Sequence, residues 1–229
     1  MFGPEEMTTI WLSLKVALVA TLSALPLATW IAYILARKSF PGRQLLNGLV
    51  HLPLVLPPVV TGYLLLVGFG QQGPIGAFLN DVFGITFAFR WTGAALAAGV
   101  MAFPLMVRAI RLGFEAIDTG LEDAAATLGA SRMRVFRTVT LPLVVPGIIA
   151  ATILGFAKAL GEFGATITFV AAIPGQTQTI PTAIYGLLQV PGSEPAVLAL
   201  VTVSIILALG ALLLSEWLAH RMARRLGRA

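Results

Sequence analysis

Long apolar stretches alternate with short polar segments along the chain. Four of these stretches, residues 10–36, 45–69, 91–107 and 196–214, are long enough to cross a bilayer as helices, because a hydrocarbon core of about 30 Å takes roughly 20 apolar residues. A fifth stretch runs from residue 143 to residue 160. The pattern predicts an all-α membrane protein with five transmembrane helices, and six helices are the alternative.

The apolar character continues beyond residue 160 but is interrupted. Gly161, Glu162 and Gly164 lie at the interruption, and the apolar pieces at 163–173 and 180–190 are each too short to span a bilayer. We expect residues 163–190 to lie outside the membrane or to form a re-entrant segment. Since the sequence contains no repeat and no long linker, we expect one transmembrane domain over residues 1–229.

Composition excludes soluble and disordered proteins. Apolar residues make up 58% of the 229 residues and charged residues only 11%, against about 25% charged residues in an ordinary soluble domain. A soluble fold of this size could not bury so much apolar surface, and disorder requires the opposite bias. The chain has no cysteine, which excludes disulfides, thiolate metal sites and cysteine catalysis.

The distribution of basic residues gives the orientation. With five spans, the first loop, the third loop and the C-terminal tail share one side, and basic residues mark that side as cytoplasmic. The N-terminus is then outside, and the net charge of +5 reflects topology instead of nucleic-acid binding. We also expect the basic tail to contact anionic lipid. These three regions contain 12 of the 15 Lys and Arg residues: Arg37, Lys38, Arg43; Arg108, Arg111, Arg132, Arg134, Arg137; Arg221, Arg224, Arg225 and Arg228.

Basic residues are lacking before the first apolar stretch, which is also too long for the core of a secretory signal, so we expect a retained span.

Enzyme motifs are lacking as well. Residues 68–73 have the glycine spacing of a dinucleotide-binding loop, but they follow a predicted membrane helix, so we expect a flexible loop. His51 and His220 lie far apart without a ligand pattern. We predict no catalytic residue, no metal site and no cofactor.

The longest polar region, residues 108–146, lies between the third and fourth spans and predicts two short helices. Thr119 and Glu122 have the spacing of a capping box at the start of the first helix. Gly129 is placed to end that helix in a left-handed conformation. Ser131 is placed to cap the second helix, which Leu141-Pro142 is expected to end. Apolar residues at every third position give the second helix one apolar face: Met133, Phe136 and Val139.

This pair of helices has two interpretations. It could lie on the bilayer, with its arginines touching lipid phosphates. Alternatively, it could dock a cytoplasmic partner, because the small side chains of Ala124, Ala125 and Ala126 permit close approach.

One set of residues in this region resembles the EAA loop of ATP-binding-cassette importer permeases. Val139 stands where the family usually has Ile, and Asp123 where Ala is frequent. The resemblance implies a coupling helix that sits in a cleft of a separate ATPase subunit, and a five-span, N-out fold like the methionine/molybdate type-I permease core. The matching residues are Glu122, Ala124, Ala125 and Gly129, followed after nine residues by Val139, Leu141 and Pro142.

Residues 51–63 and 161–167 are further similar to those of molybdate permeases. This resemblance implies an inner-membrane homodimer with two cytoplasmic ATPase subunits and a periplasmic oxyanion-binding protein. Sulfate/thiosulfate permeases are relatives, but they are typically longer with an extra span. The alternatives are a sulfate, thiosulfate or tungstate permease, a secondary transporter, and a scaffolding membrane protein.

Prolines predict a break in the second span. Pro53, Pro57 and Pro58 each remove a helix donor, so this span either has a packing kink or bends to shape a translocation path. Hydroxyl groups at Thr61, Thr166 and Thr168 are candidates for contact with an oxyanion.

Lys158 and Glu162 are the most informative ionisable pair. Their spacing places them on one helix face, and each would be costly alone at membrane depth. They form either a structural ion pair at the outer mouth or part of a gating segment in which Gly161 and Gly164 act as hinges.

Overall fold

The computed structural model describes residues 3–226, and for residues 215, 216, 219, 220 and 222–226 it describes the backbone alone. Every regular element in this part of the chain is helical, as predicted. The elements are α1 (Pro4–Arg37), α2 (Arg43–Val55), α3 (Pro58–Phe69), α4 (Pro74–Phe83), α5 (Trp91–Glu115), α6 (Thr119–Thr127), α7 (Arg132–Val135), a π-helical turn (Phe136–Thr140), α8 (Leu141–Leu160), α9 (Gly164–Val170), α10 (Ile180–Leu187) and α11 (Glu194–Leu226).

Five spans follow from these helices. Four are single helices of sufficient length and apolarity: α1, α5, the continuous helix Arg132–Leu160, and α11. The pair α2 and α3, whose axes differ by 113° across the break at residues 56–57, gives the fifth when it is counted as one broken span. The prediction of an all-α protein with five spans is therefore confirmed, and so is the break in the second span.

The central helix is α5, which packs against α1, α2, α8 and α9. Small residues allow α1 and α5 to lie close together. A Cβ atom on Gly99 would lie 3.4 Å from the carbonyl oxygen of Ala20, which explains the small-residue pair Ala95 and Gly99 as a packing feature. The alanines at this interface have almost no exposed surface: Ala17, Ala20, Ala94, Ala97 and Ala98.

Two glycine contacts fix the register between α5 and α8. A Cβ on Gly113 would lie 3.4 Å from the Cα of Gly147, and a Cβ on Gly155 would lie 2.7 Å from the Cγ and Sδ of Met106. From Gly147 to Gly155 the chain advances eight residues along α8, while the contacting positions on α5 go back seven residues, from Gly113 to Met106. The helices are antiparallel, and each α8 residue can be assigned a depth along α5.

The segment after α8 differs from the prediction. Residues 163–190 were expected outside the membrane or as a re-entrant segment, but α9 lies inside the bundle. It packs against α3, and Val170 contacts Gly93 near the outer end of α5. Helix α10 is fixed to α1, because Ser13 Oγ accepts a hydrogen bond of 2.7 Å from the Ile180 backbone N–H. Helices α8 and α9 therefore form a second broken span, which length alone did not reveal.

The contact between α3 and α9 depends on Gly62. A Cβ there would lie 2.6 Å from the carbonyl oxygen and 2.9 Å from the Cα of Ala165. Backbone atoms cannot move aside cheaply, so we expect Gly62→Ala to destabilise the protein by about 1–3 kcal/mol, the usual cost of overpacking. The unfolding temperature of the purified protein in detergent measures this. Gly48→Ala in α2 is the control, since nothing lies within 4 Å of its Cβ position. Equal unfolding temperatures would contradict this packing.

Candidate functional site

The cytoplasmic loop between α5 and α8 starts differently from the prediction. Asp118 is the N-cap of α6, and its Oδ1 accepts a hydrogen bond of 2.8 Å from the Gly120 N–H. The predicted capping box of Thr119 and Glu122 is therefore wrong by one position. Aspartate is as good an N-cap as threonine, and placing it there leaves the Glu122 carboxylate available for longer-range contacts.

Glu122 connects the loop to two spans. Its Oε1 accepts a hydrogen bond of 2.6 Å from Thr140 Oγ1, and it lies 3.3 Å from Nη2 of Arg37 at the end of α1. The Arg37 and Glu122 side chains are only 15% and 23% exposed, so water screens this pair less than a surface pair. One carboxylate thus ties α6 to α1 and to the start of the fourth span.

The turn after α6 follows the prediction. Gly129 has a φ of +86°, the left-handed conformation that glycine adopts without strain. Ser131 caps α7 by accepting a hydrogen bond from the Arg134 N–H.

The second predicted helix does not end at Leu141-Pro142. The chain continues as one helix from Arg132 to Leu160 through the π-helical turn. There the Leu141 N–H donates to the carbonyl of Phe136, five residues back. The wider turn accommodates Pro142, which has no N–H to donate. Leu141 and Pro142 thus link the loop rigidly to the fourth span.

Of the predicted apolar face, Phe136 and Val139 are partly buried, and only Met133 points away from the bundle. Met133 is 65% exposed, whereas Val135 is buried. On α6, Leu121 and Leu128 are 51% and 89% exposed, and their spacing of seven places them on one face. We call Leu121, Ala124, Ala125 and Leu128 the α6 stripe. An apolar stripe projecting into the cytoplasm is typical of a helix that docks into a groove. The two leucines were not among the predicted site residues, which were chosen for helix capping and for small side chains.

A polar cleft of about 530 Å³ separates the end of α1 from this loop. Arg37, Lys38, Glu122 and Asp123 line it, and the buried Arg37 Nε has no hydrogen-bond partner among the described residues. The cleft lies behind the α6 stripe and leaves the stripe itself exposed.

We expect Arg37→Gln to loosen α6. The substitution removes the charge that holds Glu122, and for a partly exposed pair the loss is on the order of 1 kcal/mol, or about fivefold in amide exchange. Hydrogen–deuterium exchange of residues 119–127, followed by mass spectrometry, measures it. Arg132→Gln is the control, since Arg132 lines the same cleft without an ion pair among the described residues. If both variants exchange like the parent, Arg37 does not hold the loop.

The two broken spans meet inside the bundle. A Cβ on Gly164, the first residue of α9, would lie 2.7 Å from the Cβ of Pro58, the first residue of α3. The sequence analysis identified only one break, in the second span. The second break was missed because Gly161 and Gly164 were interpreted as the end of a span.

Lys158 and Glu162 form the expected ion pair next to this junction. Lys158 Nζ donates a hydrogen bond of 2.8 Å to Glu162 Oε2, and Glu162 Oε1 accepts one of 3.1 Å from the Ala165 N–H at the start of α9. Both carboxylate oxygens are occupied. The Glu162 side chain is 2% exposed and that of Lys158 is 31% exposed.

The pair lies deeper than the outer mouth. By the register of α8 on α5, Glu162 is level with Gly99 and Lys158 with Phe103. At 1.5 Å per residue these levels are about 12 Å and 18 Å from Trp91, where α5 begins outside. A hydrocarbon core is about 30 Å thick. In this register α9 continues from the pair towards the outer end of α5.

The candidate threonines differ in their surroundings. The Thr61 hydroxyl is buried, and no atom in the described part of the chain hydrogen-bonds to it. Thr166 is 1% exposed. Thr168 donates to the carbonyl of Gly164 within α9, so its hydroxyl already has an acceptor.

Lys15 is a membrane cation that the sequence analysis missed. It lies within α1, and its Nζ is 3.7 Å from the ring centroid of Trp91. A cation over an indole face is stabilised by the ring quadrupole. The signal was present as a single lysine inside the first apolar stretch.

The remaining sequence features carry no site in the described residues. His51 Nδ1 lies 2.8 Å from the carbonyl of Asn47, and among the side chains that the structure describes no group of His, Cys, Asp or Glu is arranged for a metal. Residues 68–69 end α3 and residues 70–73 form a tight turn before α4, where a Cβ on Gly73 would meet the carbonyl of Val67. The side chains of His220, Arg224 and Arg225, and all of Arg228, lie outside the described part.

Comparison with known proteins identifies the family. Residues 24–224 match the model of the binding-protein-dependent transport system inner membrane components. The chain belongs to this family. The permease is 59% identical over 223 residues to the molybdenum transport system permease protein ModB of Escherichia coli (strain K12), covering 97% of both chains. It is 58% identical to ModB of Haemophilus influenzae, again over 97% of both chains.

A solved structure shows the same fold. The permease matches a chain of the MetNI methionine ABC transporter with a TM-score of 0.73 at 15% identity, covering 96% of the permease and 99% of that chain. The permease is therefore a multi-pass inner-membrane protein with the type-I importer fold, as the EAA resemblance implied.

Proposed function

We propose that this chain is the permease subunit of an ATP-driven importer that carries molybdate across the inner membrane. The observation that carries the proposal is the alignment at 59% identity over 97% of a molybdenum transport permease. A relationship of that length includes the loop, both broken spans and the ion pair, so a shared substrate is the simplest expectation. Sulfate, thiosulfate and tungstate are the alternative cargoes.

ATP hydrolysis is assigned to a separate cytoplasmic ATPase subunit that receives the α6 stripe. Ala124 and Ala125 allow close approach in a groove. Gly129 sets the turn to α7, and Val139, Leu141 and Pro142 carry motion into the fourth span through the π-helical turn. Glu122 transmits the same motion to α1 through Arg37. Residues 108–146 form the coupling loop within a single domain, residues 1–229.

Transport is assigned to a homodimer that receives its oxyanion from a periplasmic binding protein. We place the path beside the junction of the broken spans, because irregular backbone at membrane depth is tolerated only when buried in protein or lining a cavity. Pro57 and Pro58 shape one side of this junction. The other candidates for the path and its gate are Thr61, Lys158, Gly161, Glu162, Gly164 and Thr166.

Co-expression with the cognate ATPase subunit tests the assembly. The permease is purified through its own tag, and native mass spectrometry gives the composition of the complex. Two permease copies with two ATPase copies support the proposal. A permease that is purified without any ATPase would instead favour a secondary transporter or a scaffold.

A further inference from the structure

Lys158 is a charged side chain in a place where it cannot face lipid. It lies near the middle of the fourth span, about 18 Å from the outer end of α5 by helical rise. Its ammonium is held by Glu162, whose level is one turn nearer the outer side but still about 12 Å from the outer end of α5. Ionisable residues at such depth face the bundle interior or a water-filled cavity.

Of the two charges in this ion pair, the positive one is the more exposed. Glu162 is buried, and its two oxygens accept from Lys158 and from the Ala165 N–H. Lys158 is 31% exposed in the single chain. An ammonium has three donors, and Glu162 takes one of them. The group that this face presents is therefore a cation with free N–H donors, and the carboxylate lies behind it.

We propose that Lys158 contacts the tetrahedral oxyanion as it crosses, and that Glu162 positions the ammonium for this contact. The inference rests on the proposed function, because it requires an anionic cargo and a path along this face. An exposed cation in a low-dielectric passage attracts an anion. The neighbouring carboxylate offsets that attraction, so the oxyanion is attracted into the passage and is still able to leave it.

The absence of cysteine makes the test direct. The chain contains no Cys, so Lys158→Cys introduces the only thiol of the permease. Ile206→Cys is the matched control, since Ile206 is 62% exposed on α11 and has no charged neighbour in sequence. Both variants are purified as the complete transporter, reconstituted in liposomes, and treated with water-soluble methanethiosulfonates.

We expect the thiol at position 158 to react from the aqueous phase and that at 206 to remain unmodified. Molybdate should slow the reaction at 158 at least several-fold, and chloride at equal ionic strength should not. We expect Lys158→Cys to lower molybdate uptake by about tenfold, the low end of the effect of a focused charge on ion capture. Modification with the aminoethyl reagent, which restores an ammonium, should recover uptake, whereas the neutral ethyl reagent should not.

Three results would overturn the inference while the parent complex still imports molybdate. They are no labelling at position 158, labelling that molybdate does not slow, and equal recovery with the neutral reagent. If the parent complex does not transport molybdate at all, the proposed function fails instead. If Lys158→Cys does not assemble because Glu162 is left unpaired, the double variant Lys158→Cys/Glu162→Gln removes that buried charge, and its labelling and protection decide the matter.

Discussion

Leu128→Glu abolishes co-purification of the permease with its ATPase, if the α6 stripe is the docking surface. The side chain is 89% exposed, so the substitution leaves the fold of the permease unchanged. In a docked groove it places an unpaired carboxylate against an apolar surface, and a buried charge without a partner costs several kcal/mol. A loss of about 3 kcal/mol lowers affinity more than a hundredfold. Deletion of residues 122–129 has the same expected result.

Two variants control for this result. Leu128→Met keeps the apolar surface and retains the ATPase. Asp123→Asn changes a charge on the opposite side of α6, which lines the polar cleft, and retains it as well. Normal ATPase recovery by Leu128→Glu, measured after purification through the permease, would show that the stripe does not dock.

Glu162→Gln lowers molybdate uptake by about tenfold or more while ATPase docking stays intact. The glutamine oxygen still accepts from the Ala165 N–H, but the Lys158 ammonium loses its counter-charge at membrane depth. Because Lys158 is 31% exposed, the loss is smaller than the roughly 3–5 kcal/mol of a fully buried pair. The substitution destabilises the junction of the two broken spans, because Glu162 connects α8 to the start of α9.

Glu115→Gln is the matched control for this variant. Glu115 also pairs with a cation four residues away, Arg111 at 2.7 Å, but its side chain is 38% exposed at the cytoplasmic end of α5. Breaking such a surface pair costs little, so uptake remains at the parent level. Normal molybdate uptake by Glu162→Gln would refute the role assigned to the junction.

Features set by local chemistry could be predicted from the sequence. The five spans followed from the length of the apolar stretches, and their orientation followed from the distribution of basic residues. Both properties are set by the boundary between the bilayer and water. The left-handed Gly129 and the Ser131 cap followed from backbone preferences that act within a few residues. The EAA spacing led to the correct family without any structural information.

Features set by long-range packing could not be predicted. The depth of Lys158 depends on glycine contacts between α5 and α8, which are far apart in sequence. The Glu122–Arg37 contact joins residues separated by 85 positions, and no local pattern encodes it. The break at residues 161–163 resembled the end of a span, because only packing of α9 against Pro58 and Gly62 places its continuation inside the bundle.

Uptake into proteoliposomes tests the central claim most directly. The permease is reconstituted with its ATPase, and the molybdate-loaded binding protein is supplied on the outer side, with ATP enclosed. We expect radioactive molybdate to accumulate only when ATP and the binding protein are both present, and hydrolysis of ATP to rise with uptake. Molybdate accumulation that proceeds without ATP, or a complex that is stimulated by the sulfate-loaded binding protein and not by the molybdate-loaded one, would contradict it.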